Sequence, residues 1–134
     1  MKSLTVIVVI SVVVAIGLLR LFYVARHRYV LKIVQGKWVD LQKFCASKET
    51  WPLAVITADK LLDEAMKKKR IKGKSMGERL VSGQHTFSDN DGVWFSHNLA
   101  KKLIGETAGR LKQTEVKKSL LGVRQALKDL GALR

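Results

Sequence analysis

SLTVIVVISVVVAIGLL, Ser3 to Leu19, runs without a charge and continues past Arg20 through Leu21, Phe22, Tyr23, Val24 and Ala25. At about 1.5 Å rise per residue, roughly 20 apolar residues cross the hydrocarbon core of a bilayer, so the stretch reads as a transmembrane helix. Leu4, Val8, Val12, Ile16 and Leu19 are the expected lipid contacts; Phe22 and Tyr23 suit the interface, and Arg20 can snorkel to it. Ala15-Ile16-Gly17 has the small-x-small form of a cleavage site, but cleavage there would leave an apolar stub ahead of a dense basic run. The segment is therefore read as an anchor rather than a leader.

The flanks set the expected orientation. Only Lys2 precedes the apolar run, whereas Arg20, Arg26, Arg28, Lys32 and Lys37 follow its midpoint. The positive-inside rule then places the amino terminus outside and the remaining chain in the cytoplasm, on a cell membrane. The single cysteine, Cys45, excludes an internal disulfide, fits a reducing compartment and reads as a small buried hydrophobe. Residues 1–29 are assigned to the transmembrane anchor with its basic flank, and 30–134 to a cytoplasmic helical bundle.

Beyond the anchor the apolar residues recur at three and four rather than at two, the period of helices. Leu31, Val34, Trp38, Leu41 and Cys45 form one stripe, which could run straight out of the membrane with a bend at Gly36. Thr50 as N-cap and Pro52 in the first turn announce a second helix carrying Val55, Ala58, Leu61, Leu62, Ala65 and Met66, whose wide apolar face predicts a central position. Ser75-Met-Gly-Glu78 has capping-box spacing and begins a short helix through Leu80 and Val81. Ser88 or Asp89 caps the next, through Trp94, Leu99 and Leu103, and the last starts at Thr114-Glu115 with Val116, Leu120, Val123, Leu127 and Leu130 on one face. The expected fold class is all-α: one transmembrane helix, then a small antiparallel bundle of about five helices.

Several stretches carry a resemblance: Trp51-Pro-Leu-Ala-Val-Ile-Thr-Ala-Asp-Lys-Leu-Leu-Asp63, Met76-Gly-Glu-Arg-Leu80, Val93-Trp94 followed by His97, and Ala126-Leu-Lys-Asp-Leu-Gly-Ala-Leu133. Together they resemble a family of uncharacterised, membrane-anchored bacterial proteins with a HEPN-like helical domain, over Trp51 to Leu133. Active HEPN ribonucleases cleave RNA without metal, using an arginine and a histidine about four to six residues apart at the start of a late helix. In the matching stretch, His97-Asn-Leu-Ala-Lys-Lys-Leu-Ile-Gly-Glu106, Ala100 and Gly105 occupy those places, so the resemblance implies a degenerate domain without nuclease activity. Arg79 with His85, and Arg20 with His27, satisfy the bare spacing; the second pair falls beside the membrane segment and shows how little spacing alone means. By the same resemblance a homodimer is expected.

No other chemistry is expected. Ser88-Asp-Asn-Asp-Gly92 lacks the alternating ligands and distal glutamate of a calcium loop and reads as a helix cap. His27, His85 and His97 stand without cysteine or carboxylate at zinc spacing, and there is no glycine-rich phosphate loop. Neither metal nor cofactor nor small-molecule substrate is implied.

Charge is the informative feature: 25 basic against 11 acidic residues leave +14. An anionic partner is expected. The densest segment comprises Lys67, Lys68, Lys69, Arg70, Lys72 and Lys74, where cations also suit a helix C-terminus. If the second helix returns antiparallel, it carries this cluster back to the anionic lipids of the inner leaflet. The alternative partner for the same charge is RNA. Trp94, His97, Lys101 and Lys102 are the candidates for a protein-facing surface. The chain is thus read as a membrane-tethered binding or scaffolding module rather than an enzyme.

Overall fold

A computed structural model describes residues 1–105 and 110–134. Among them are five α-helices and no strand: α1 (Lys2–Gln42), α2 (Trp51–Lys68), α3 (Met76–Ser82), α4 (Asn90–Gly105) and α5 (Gln113–Asp129). The apolar N-terminal segment and the first bundle helix are one continuous helix of 41 residues, about 60 Å long. Gly36, the expected bend, is an exposed position within it, with open space around it. Residues 1–26 are all exposed, and burial begins only at His27 and Val30. About 40 Å of helix therefore projects from the bundle, long and apolar enough to cross a membrane.

Val34, Trp38 and Leu41 face the core as the stripe predicts, and Val30 rather than the half-buried Leu31 begins it. Two short 3-10 turns, Lys43–Ala46 and Lys48–Thr50, reverse the chain into α2. They are fastened by side chains: the Thr50 hydroxyl donates to the Phe44 carbonyl, and Trp51 Nε1 donates to the Cys45 carbonyl at 3.1 Å. Cys45 is half-buried in this turn, and burial raises its thiol pKa.

α2 is central, as its apolar periodicity predicts. Val55, Ala58, Leu61, Leu62, Ala65 and Met66 are all buried, against α1, α4 and α5. It runs antiparallel to α1: Lys37 meets Glu64, whereas Arg26 and His27, earlier in α1, meet Lys68 and Lys69.

The end of α2 is a Schellman cap, in which the Ile71 N–H donates to the Met66 carbonyl and the Arg70 N–H to the Lys67 carbonyl. The left-handed residue this cap needs is Arg70, at φ 60°. The same arrangement ends α5, where Gly131 holds the left-handed place at φ 67° and the Ala132 N–H reaches the Leu127 carbonyl. A side chain in that conformation costs about 1 kcal/mol relative to glycine. Arg70→Gly is therefore expected to raise thermal stability by about 1 kcal/mol, read as the shift in unfolding midpoint of the full chain in detergent.

α3 starts at Ser75, whose hydroxyl accepts from the Glu78 N–H, while Glu78 Oε2 accepts from the Lys74 N–H one residue outside the usual box. Leu80 is buried but Val81 is exposed. Asp89 caps α4 by accepting from the Gly92 N–H, and Ser88 instead donates its N–H and hydroxyl to Asp129. Burial acts to raise the Asp129 pKa, but the Ser88 and Gln125 donors outweigh it and hold the carboxyl below the usual range. α5 begins one residue before the expected Thr114, with Glu115 Oε2 accepting from the Lys112 N–H.

α4 and α5 meet through small residues. Gly92, Ser96 and Ala100 on α4 and Ser119, Gly122 and Ala126 on α5 are buried, with the Ser96 and Ser119 hydroxyls hydrogen-bonded at 2.6 Å. The large residues Trp94, Leu99 and Leu103 of α4 are only half-buried.

Candidate functional site

The basic segment after α2 divides in three. Lys67 turns to the Asp63 carboxylate at 3.3 Å, and Lys72 and Lys74 are exposed in the turn leading to α3. Lys68, Lys69 and Arg70 turn toward α1, where they and Leu19, Phe22, Tyr23, Arg26, His27 and Val30 line a cleft of about 390 Å³. The α2 side is thus cationic, and the α1 side is apolar and aromatic from Leu19 to Tyr23 but carries Arg26 and His27 beyond.

Contacts within the cleft are sparse. Arg26 Nη2 reaches the Lys68 carbonyl at 3.4 Å, and Lys69 Nζ lies 3.1 Å from His27 Nδ1. Burial first, and then the neighbouring Arg26 guanidinium, lower the Lys69 pKa. The C-terminal cap of α5 closes one side, since a Cβ on Gly131 would stand 3.3 Å from the His27 ring. Among the described residues no carboxylate comes within 4.0 Å of Arg26, Lys68, Lys69 or Arg70, whereas Lys37 and Lys67 nearby are each paired.

The sequence marks the basic segment and, separately, the basic flank of the apolar helix. That Arg26 and His27 share a cleft with Lys68, Lys69 and Arg70 follows only from the antiparallel return of α2. Of the expected lipid contacts, Leu4, Val8, Val12 and Ile16 are exposed along the projecting helix, and Leu19, Phe22 and Tyr23 reach the cleft.

His97 is not a free surface group. Its Nδ1 lies 3.1 and 3.2 Å from the two oxygens of Asp59, and its ring meets Trp94 edge-on at 6.0 Å between centroids. Asp59 is buried, which raises its pKa, while His97 acts to lower it. Asp59 was not singled out in the sequence, because its partner is 38 positions away. Trp94 is half-buried against the core, and Lys101 and Lys102 are exposed.

Arg79 and His85 stand in different settings. Arg79 is buried, its Nε donating to Asp63 Oδ1 at 2.7 Å and its Nη1 to the Gly73 carbonyl at 2.8 Å, while His85 is exposed. In the stretch from His97, Ala100 is buried and Gly105 ends α4; Glu106 lies outside the described residues. No group of His, Cys, Asp and Glu able to hold a metal occurs among the described residues.

Comparison with protein-family models, with curated proteins and with solved structures returns no match for this chain.

Proposed function

We propose that α1 crosses a membrane, and that the bundle is a non-catalytic binding or scaffolding module held against the cytoplasmic leaflet by its own basic end. The observation that carries this reading is a coincidence of place. Residues 1–26 are all exposed, and α2 returns Lys68, Lys69 and Arg70 to the last two turns of that exposed surface, from Leu19 to Arg26. Near an anionic leaflet each Lys or Arg contributes about 1 kcal/mol of attraction. The excess of Arg20, Arg26, Arg28, Lys32 and Lys37 over Lys2 supports a cytoplasmic bundle.

The test moves the single thiol to an exposed position. In the full chain carrying Cys45→Ser and Lys48→Cys, a membrane-impermeant maleimide should label position 48 only after cells are permeabilised, and alkaline carbonate should leave the protein in the membrane. Labelling of intact cells would overturn the orientation, and carbonate release would overturn the anchor.

A second reading is a degenerate HEPN-like module that binds RNA without cutting it. Its support is the end of the bundle remote from the cleft, where Lys48, Lys101, Lys102, Lys112 and Lys117 are exposed around the small core of Val55, Ala100 and Val116.

A further inference from the structure

We propose that the cleft between α1 and the end of α2 is a binding site for one anionic glycerophospholipid, its phosphate held by Arg26, Lys68 and Arg70 and its acyl chains lying along Leu19, Phe22 and Tyr23. The proposal rests on the membrane reading but goes beyond diffuse attraction to a surface, because the cleft has an apolar end at Leu19, Phe22 and Tyr23 and a cationic end at Arg26, Lys68, Lys69 and Arg70. Leu19 and Arg26 are separated by about 10 Å along the helix, comparable with the step from the hydrocarbon edge through the headgroup layer. An amphiphile with a buried chain and an anionic head fits that order. Inorganic phosphate would leave the apolar wall empty, and RNA would have to occupy the depth at which α1 becomes continuously apolar.

Three further observations favour an anion. Arg26, Lys68, Lys69 and Arg70 have no carboxylate partner among the described residues. Crowding by burial and by Arg26 disfavours the charged form of Lys69, and an anion would oppose both. Both Schellman caps border the cleft; that of α5 uses Gly131, whereas that of α2 holds Arg70 in the conformation that favours glycine. A strained residue at a surface cleft is compatible with a ligand contact, although Arg110, away from the cleft, also has a positive φ of 86°.

The full chain in mild detergent is offered phosphatidylglycerol, phosphatidylcholine, inorganic phosphate or mixed-sequence RNA, and bound species are counted by native mass spectrometry. One phosphatidylglycerol per chain is expected, retained at least about tenfold over phosphatidylcholine. Arg26→Gln with Lys68→Gln and Arg70→Gln should abolish the preference, while Lys72→Gln with Lys74→Gln and Lys101→Gln, equal in charge, should keep it. Arg26→Gln alone serves if the triple variant unfolds, because among the described residues its side chain makes one hydrogen bond, the long 3.4 Å contact to the Lys68 carbonyl. Equal retention of phosphatidylcholine, equal loss in the charge-matched control, or displacement of the lipid by phosphate or RNA would overturn the site. Carbonate resistance of the triple variant separates the two failures: a protein still anchored but without lipid preference sinks this site and leaves the membrane reading standing.

Discussion

Gly122→Ala is expected to destabilise the bundle by about 3 kcal/mol, seen as a fall in the denaturation midpoint of the full chain at unchanged slope. A Cβ at this position would stand 2.6 Å from the Gly92 carbonyl oxygen and 2.7 Å from its carbon. Both are backbone atoms of a facing helix, so no rotamer change relieves the contact, and α4 must move away from α5. That movement would also stretch the buried Ser96–Ser119 hydrogen bond beside it. The expected sign opposes intrinsic propensity, since glycine to alanine within a helix otherwise gains about 1 kcal/mol. Gly36→Ala supplies the control: it is helical and exposed, with nothing within 4 Å of its Cβ, and should stabilise or be neutral. If both substitutions stabilise, the close approach of α4 and α5 is wrong.

The same contact shows what sequence reading finds and what it loses. α2 is legible because Val55, Ala58, Leu61, Leu62, Ala65 and Met66 repeat with helical period, and every one is buried. The helix pair α4 and α5 is held by glycine, serine and alanine, which carry little hydrophobic signal. On α4 the eye falls instead on Trp94, Leu99 and Leu103, which are half-buried. Continuity of α1 is an open alternative in the sequence, because Arg20, Arg26 and Arg28 look like a boundary when hydropathy is read alone, and the structure shows one helix from Lys2 to Gln42. The cleft was half legible: its basic segment stands out, but its apolar wall belongs to a helix more than 40 positions earlier in the chain.

Arg79→Leu is expected to cost about 3 kcal/mol, and the loss should be coupled to Asp63. The Arg79 side chain is 7% exposed and that of Asp63 20%, so the pair is largely withdrawn from water. Asp63 Oδ1 accepts from Arg79 Nε, with Nη2 also 2.7 Å away, while Nη1 ties down the Gly73 carbonyl. Leucine would leave Asp63 with only the more exposed Lys67, 3.3 Å away, and the Gly73 carbonyl without this donor. Lysine is no substitute, because one ammonium cannot reproduce the planar fork that reaches two acceptors on different segments. Asp63→Leu alone should be similarly damaging, since it strands a guanidinium that cannot shed its charge. The double variant should recover much of the loss, because removing both partners leaves no unpaired buried charge, and a coupling energy of about 2 kcal/mol is expected. This distinguishes a fastening of α3 onto α2 from the cationic half of an arginine–histidine ribonuclease site. A catalytic arginine at position 79 would give a stable variant with lost cleavage, and its effect would be independent of Asp63 in the unfolding measurement.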